Sequence, residues 1–147
     1  MKKIMMAAAL ALATVFAANA QSAEKLTEIL DTKEVNLAQL SYIAGTCGFN
    51  LPDSSNYTTA FEEMKRRKYF GQNAKESDKA TLAQASYLFM KATKMNGGLM
   101  YSLTDSSRYA FKELKARGII PQTAEASLKV SGHDALDLLN SCIAESK

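Results

Sequence analysis

The chain repeats itself, and no other feature limits its fold as strongly. Leu37-Ala38-Gln39-Leu40-Ser41-Tyr42 matches Leu82-Ala83-Gln84-Ala85-Ser86-Tyr87 at five of six positions, at an offset of 45. Ala60-Phe61-Glu62-Glu63-Met64-Lys65-Arg66-Arg67 matches Ala110-Phe111-Lys112-Glu113-Leu114-Lys115-Ala116-Arg117 at an offset of 50. This second alignment runs without a gap to Thr81 and Ser131, through Gln72/Gln122, Ala74/Ala124, Ser77/Ser127 and Lys79/Lys129. A repeat of this period is a supersecondary unit that buries its apolar face only by stacking on its neighbours. The units span about 36–80, 81–130 and 131–147, so the array is two and a half units long. The change of offset puts five extra residues around Asn96-Gly97-Gly98, a loop composition that tolerates insertion.

Each unit reads as helix, loop, helix, loop, which predicts an all-α fold. First helices are expected at about 36–47, 81–94 and 131–145, second helices at about 55–69 and 105–117. Asn36-x-x-Gln39 and Thr81-x-x-Gln84 have the form of capping boxes, and Ser131-x-x-Asp134 places a capping side chain in the same slot. Asp53-Ser54-Ser55 and Asp105-Ser106-Ser107 are expected to open the second helices. Gly118 before Ile119-Ile120-Pro121 closes the last of them, and Lys68 holds that slot in unit one. Leu40, Ile43 and Ala44, then Ala85, Leu88 and Phe89, then Ala135, Leu138 and Leu139 give each first helix one apolar stripe. Phe61 with Met64, and Phe111 with Leu114, do the same for the second helices. Residues 24–34 form a further amphipathic candidate with Leu26, Ile29 and Leu30 on one side. Strand alternation is nowhere sustained, with short extended pieces expected at most near Tyr69-Phe70 and Ile119-Ile120.

The N-terminus predicts export. Lys2 and Lys3 precede an apolar run from Ile4 to Ala18, and Ala18-Asn19-Ala20 offers a small-residue cleavage site after residue 20. That run is shorter than the roughly 20 residues of a membrane span. Residues 1–20 therefore read as a signal peptide and 21–147 as one helical repeat domain, periplasmic or secreted and soluble. Of the 18 basic residues two lie in the signal, leaving 16 against 15 acidic ones. Such a balance speaks against nucleic-acid binding, which needs a strongly basic face. No later apolar run predicts a transmembrane segment.

Cys47 and Cys142 each lie 11 residues beyond their caps, with Ala92 at the same place in the middle unit. In an oxidising compartment such a pair predicts a disulfide from first unit to last, provided the three first helices gather around a common axis. The alternative is two buried free thiols.

The pattern resembles S-layer homology (SLH) domains over roughly residues 36–145. The resemblance lies in the Ala-Phe-x-Glu-Leu second helix with its Gly-Ile-Ile exit, and in the spacing to the next first helix. It implies a pseudo-threefold bundle whose inter-unit grooves bind peptidoglycan or a wall polymer through the arginine of a Thr-Arg-Ala-Glu motif. Here the motif slots read Asn36-Leu37-Ala38-Gln39, Thr81-Leu82-Ala83-Gln84 and Ser131-Gly132-His133-Asp134, without that arginine, and the chain has no Trp.

Catalytic patterns are missing. The lone His133 sits beside a helix cap, no His/Cys cluster has zinc spacing, and no glycine-rich loop or nucleophile elbow occurs. No cofactor or metal is expected. Arg67 and Arg117, at equivalent positions, are the candidates to replace the lost arginines, since guanidinium grips carboxylate or phosphate bidentately. Lys68, Gln39 and Gln84 complete the candidate binding set. The expected function is a non-catalytic envelope-binding module. The alternatives are a protein-interaction subunit of an envelope complex and, behind it, a small hydrolase or enzyme regulator.

Overall fold

The computed structural model describes residues 21–147, so the export signal expected at 1–20 lies outside the described residues. The fold is all-α. Helix α1 covers 21–31, followed by α2 (Leu37–Gly48), α3 (Tyr57–Arg66), α4 (Leu82–Ala92), α5 (Leu99–Thr104), α6 (Ser107–Ala116) and α7 (Gly132–Glu145). Unit one is the hairpin α2–α3 and unit two the hairpin α4–α6. Helix α4 packs between α2 and α7, and α5 rests on α6. Each predicted stripe faces inward: Leu40, Ile43, Ala44, Ala85, Leu88, Phe89, Ala135, Leu138, Leu139, Phe61, Met64, Phe111 and Leu114 are all buried.

The three first helices start alike. Asn36, Thr81 and Ser131 are the N-caps, each accepting the amide three residues on, and the first two close full capping boxes with Gln39 and Gln84. In α2 and α4 the next orphan amides find carbonyls in the exit segment of their own unit. Leu37 N–H donates to Asp78 and Ala38 N–H to Glu76; Leu82 N–H donates to Leu128 and Ala83 N–H to Ala126. Gly132 N–H donates to Thr32, at the end of α1. The first three donors of α2 and α4 are thus satisfied without water.

Just before each cap the backbone closes a ring. Val35 N–H donates to the Val130 carbonyl at 2.9 Å, Val130 N–H to Ala80 at 3.4 Å, and Ala80 N–H to Val35 at 2.9 Å. All three residues are buried and occupy equivalent repeat positions. Helix α1 ties the ends of the array together. Lys25 Nζ donates to the Ser55 carbonyl and Tyr57 Oη to the Glu28 carboxylate on one side, while on the other Thr32 accepts from Gly132 of unit three and Val35 donates to Val130 at the end of unit two.

Several local expectations need correction. Asn56, not Asp53-Ser54-Ser55, caps α3. Asp105-Ser106-Ser107 does open α6, with Ser106 as its N-cap, but Ser106 makes no side-chain cap bond and Asp105 is the left-handed C-cap of α5. Of the apolar side expected for the first helix only Ile29 is fully buried, and Leu26 is exposed. No strand forms among the described residues at 69–70 or 119–120. The only pairings among the described residues are isolated bridges, Asn36 with Lys79 and Thr81 with Lys129, where exit segments meet the caps. Lys68 takes the left-handed conformation of Gly118, so both second helices end in the same way.

Candidate binding groove

The three slots that an SLH motif gives to arginine have three different fates. Leu37 is buried. Gly132 lies against the end of α1, where an added Cβ would sit 1.6 Å from the Ile29 carbonyl oxygen. Leu82 is half-buried and lines an open groove of about 310 Å³ between the exit of α6 and the first turns of α7.

The groove has an apolar floor and an acidic edge. Leu82, Ile119, Pro121, Leu128 and Leu138 line it, with Asp134 and Asp137 one turn apart on the α7 side. Asp134 is already engaged by the Ser131 hydroxyl at 2.7 Å, whereas Asp137 forms no ion pair among the described residues. Lys129 also lines the groove, but its ammonium reaches the Lys79 carbonyl at 3.3 Å. The junction of units one and two differs at the same two positions. Tyr69 and Tyr87 stand where Ile119 and Asp137 do, and their rings pack edge to face at 5.8 Å.

No family model matches the chain, and no curated protein or solved structure matches it.

The two candidate arginines are not brought together. Arg67 pairs with Glu63 at 2.8 Å and lies over the Phe49 ring, 4.9 Å from its centroid. Arg117 pairs with Glu113 at 2.9 Å and donates from Nη2 to the Asn96 carbonyl. Each clamps its second helix to the loop that follows the first helix. Glu113 adds a second clasp, accepting from Gly98 N–H at 2.9 Å. Burial pushes the Glu113 carboxyl up, but the Gly98 amide and Arg117 outweigh it and hold its pKa below the usual value. Glu63 is likewise held low by its hydrogen bonds to Arg66 and Arg67.

Most of the basic run at the end of α3 is engaged in the same way. Lys65 donates to the Ala74 carbonyl and covers the Phe61 ring, as Lys115 does with Ala124 and Phe111. Arg66 pairs with Glu63. Lys68 is exposed and, with Lys65 and Arg66, edges an open cleft of about 540 Å³. Gln39 and Gln84 serve as N3 capping residues, and Gln39 also donates to the Thr32 hydroxyl. They face their own backbones rather than the groove.

The expected disulfide is not formed. Both cysteines are free, Cys47 exposed and Cys142 buried. Equivalent repeat positions do not have equivalent surroundings here. Cys142 feels Arg117 from the unit before it, whereas the described residues hold no corresponding second helix to cover Cys47.

Two features escaped the sequence reading. One is the α5 helix, which follows the loop where the insertion falls. Leu99, Met100 and Leu103 carried its periodicity, but within a segment too short to stand out as a helix. The other is Glu113, whose clamp depends on a loop 15 residues earlier.

Proposed function

We propose that the protein is a non-catalytic interaction module of SLH-like, pseudo-threefold architecture, exported to the cell envelope, where it binds a protein partner through the groove beside Leu82. The ring of Val35, Ala80 and Val130 supports the threefold reading, because three equivalent residues each donate to one neighbour and accept from the other. One observation carries the choice of partner. The groove joins an apolar floor to the carboxylate of Asp137, in a place where an SLH groove would present cations to a polyanion. A peptide segment with an apolar anchor and a neighbouring Lys or Arg complements such a surface, whereas an anionic polymer is repelled by it.

The experiment is site-specific photo-crosslinking in the producing cell, with the probe at Leu128 and, as a control, at exposed His133. A discrete protein adduct from Leu128 that disappears with Asp137→Lys is the expected result. Adducts of equal yield from both positions, or none from Leu128, would overturn the assignment.

A second reading rests on the cleft edged by Lys65, Arg66 and Lys68, which suits an anionic wall polymer. Its mark is saturable co-sedimentation with peptidoglycan sacculi that weakens in Lys68→Ala and leaves the groove variants unaffected.

A further inference from the structure

Helix α5 and the loop before it carry the insertion that sets unit two apart. Unit one does without those residues, so they are not required to close a helical hairpin. The outward side of α5 is apolar. Leu99, Met100 and Leu103 fall within an arc of about 100° on the helix, and they are 75%, 49% and 71% exposed. Tyr101, on the opposite side, is buried, and Gly97 leaves room for it: a Cβ there would lie 2.2 Å from the ring. The Glu113–Arg117 clamp then fixes the loop ahead of α5 from below, through Gly98 and Asn96. Three large apolar side chains are thus held out in water by a structure that spends hydrogen bonds on holding them there.

The surrounding charge is positive. Both nearby acids are paired, Asp105 with Lys91 and Glu113 with Arg117. Lys94 and Arg108 bracket α5 in the chain. Lys112 lies over the Tyr109 ring, on the wall of a depression of about 350 Å³ that Leu99 and Met100 also line. Lys94, Arg108 and Lys112 are exposed and form no ion pair among the described residues.

We propose that α5 docks on an anionic lipid surface. Leu99, Met100 and Leu103 enter the boundary between headgroups and acyl chains, and Lys94, Arg108 and Lys112 meet the headgroup phosphates. Area and shape favour lipid over a protein partner. A stable protein interface takes about 800 Å² from each side, more than three side chains on one convex turn supply. A lipid surface needs no matching relief, and attachment there follows from apolar area combined with basic charge. Each cation near an anionic surface adds about 1 kcal/mol, so three basic groups and three apolar side chains give reversible binding that neither set gives alone. This surface lies apart from the groove beside Leu82 and does not depend on it.

The chain has no tryptophan, so Leu103→Trp is a single-site reporter. The purified protein is mixed with phosphatidylcholine vesicles with and without about one-third phosphatidylglycerol, an anionic content sufficient for basic segments to respond. A blue shift of the reporter and co-sedimentation are expected with the anionic vesicles alone, both reversed by salt. Leu99→Ser with Leu103→Ser is expected to weaken binding about tenfold or more, and Lys112→Glu with Arg108→Glu to do the same. Unchanged circular dichroism shows that these surface variants are folded. Asp137→Lys leaves vesicle binding intact, which separates this proposal from the groove assignment. No blue shift on any vesicle, or binding that survives both pairs of substitutions, overturns the proposal. A probe at Leu99 that crosslinks a protein while vesicles stay unbound overturns it in favour of a protein-binding face.

Discussion

Gly132 and Ile29 meet backbone to backbone: a Cβ on Gly132 would lie 1.6 Å from the Ile29 carbonyl oxygen. The contact joins α1 to the start of α7, beside the hydrogen bond from Gly132 N–H to the Thr32 carbonyl. It also explains why the third motif slot holds glycine, since any side chain there must displace the end of α1. Gly132→Ala is expected to lower stability by about 1–3 kcal/mol, the usual range for overpacking. Gly132→Arg, which puts a long charged side chain at this contact, is expected to detach α1 altogether. Urea unfolding checks the first, and protease cleavage within 21–35 the second. An unchanged midpoint in Gly132→Ala would mean that α1 does not press there.

Lys68 and Gly118 hold the same left-handed position after their helices, at φ 62° and 74°. Glycine adopts this conformation without steric cost, whereas a side chain costs about 1 kcal/mol there. Lys68→Gly is therefore expected to stabilise the protein by about 0.5–1 kcal/mol, and Gly118→Lys to destabilise it by a similar amount. Denaturant midpoints of the two variants should move in opposite directions.

The two thiols should react at very different rates. Cys47 is exposed, while burial pushes the Cys142 thiol up to about 12 from 9.0, with Arg117 pulling slightly the other way. A thiol reagent at mildly alkaline pH is expected to label one cysteine per native molecule and the second only on unfolding. The raised value also sets a pH dependence. The native state keeps the Cys142 proton where the unfolded chain has lost it, so this contribution is complete below pH 9.0 and is lost as pH climbs toward about 12. Tyr101, pushed by burial and Asp105 from 10.0 to about 12, acts in the same sense at slightly higher pH. Cys142→Ala should flatten the first part of the alkaline decline, as read from melting temperature against pH.

Arg117→Ala should act locally. Its ion pair with Glu113 is part-exposed and contributes no more than about 1 kcal/mol to global stability. It nevertheless holds the loop from Asn96 to Gly98 in place, so hydrogen exchange and proteolysis across 95–104 are expected to rise sharply. Acid should reproduce the effect. The Glu113 pKa is lowered on folding, so its contribution is present above the ordinary carboxylate value of 4.5 and fades as pH falls through the folded value. Exchange in α5 that ignores both the mutation and the pH would show that the clamp is not what positions the helix.

Local and periodic features were legible in the chain itself. The caps Asn36, Thr81 and Ser131, the i, i+3, i+4 stripes and the repeat offsets predict the first helices to within a residue or two at most ends. Each depends on bonds and contacts within a few residues, which a sequence states directly. The candidate binding residues were a different matter. Arg67 and Arg117 carry the right chemistry, but their neighbours Phe49 and Asn96 lie about one helical hairpin away in the chain. Leu37, Leu82 and Gly132 fill one repeat position, yet only packing made the first buried, the second a groove wall and the third a backbone contact. Cys47 and Cys142 parted for the same reason, because among the described residues a second helix precedes unit three and none precedes unit one. The sequence by itself determined the helices of the repeat and which side of each turns inward. Tertiary structure alone decided which equivalent positions remain accessible, since that depends on surfaces supplied by other units.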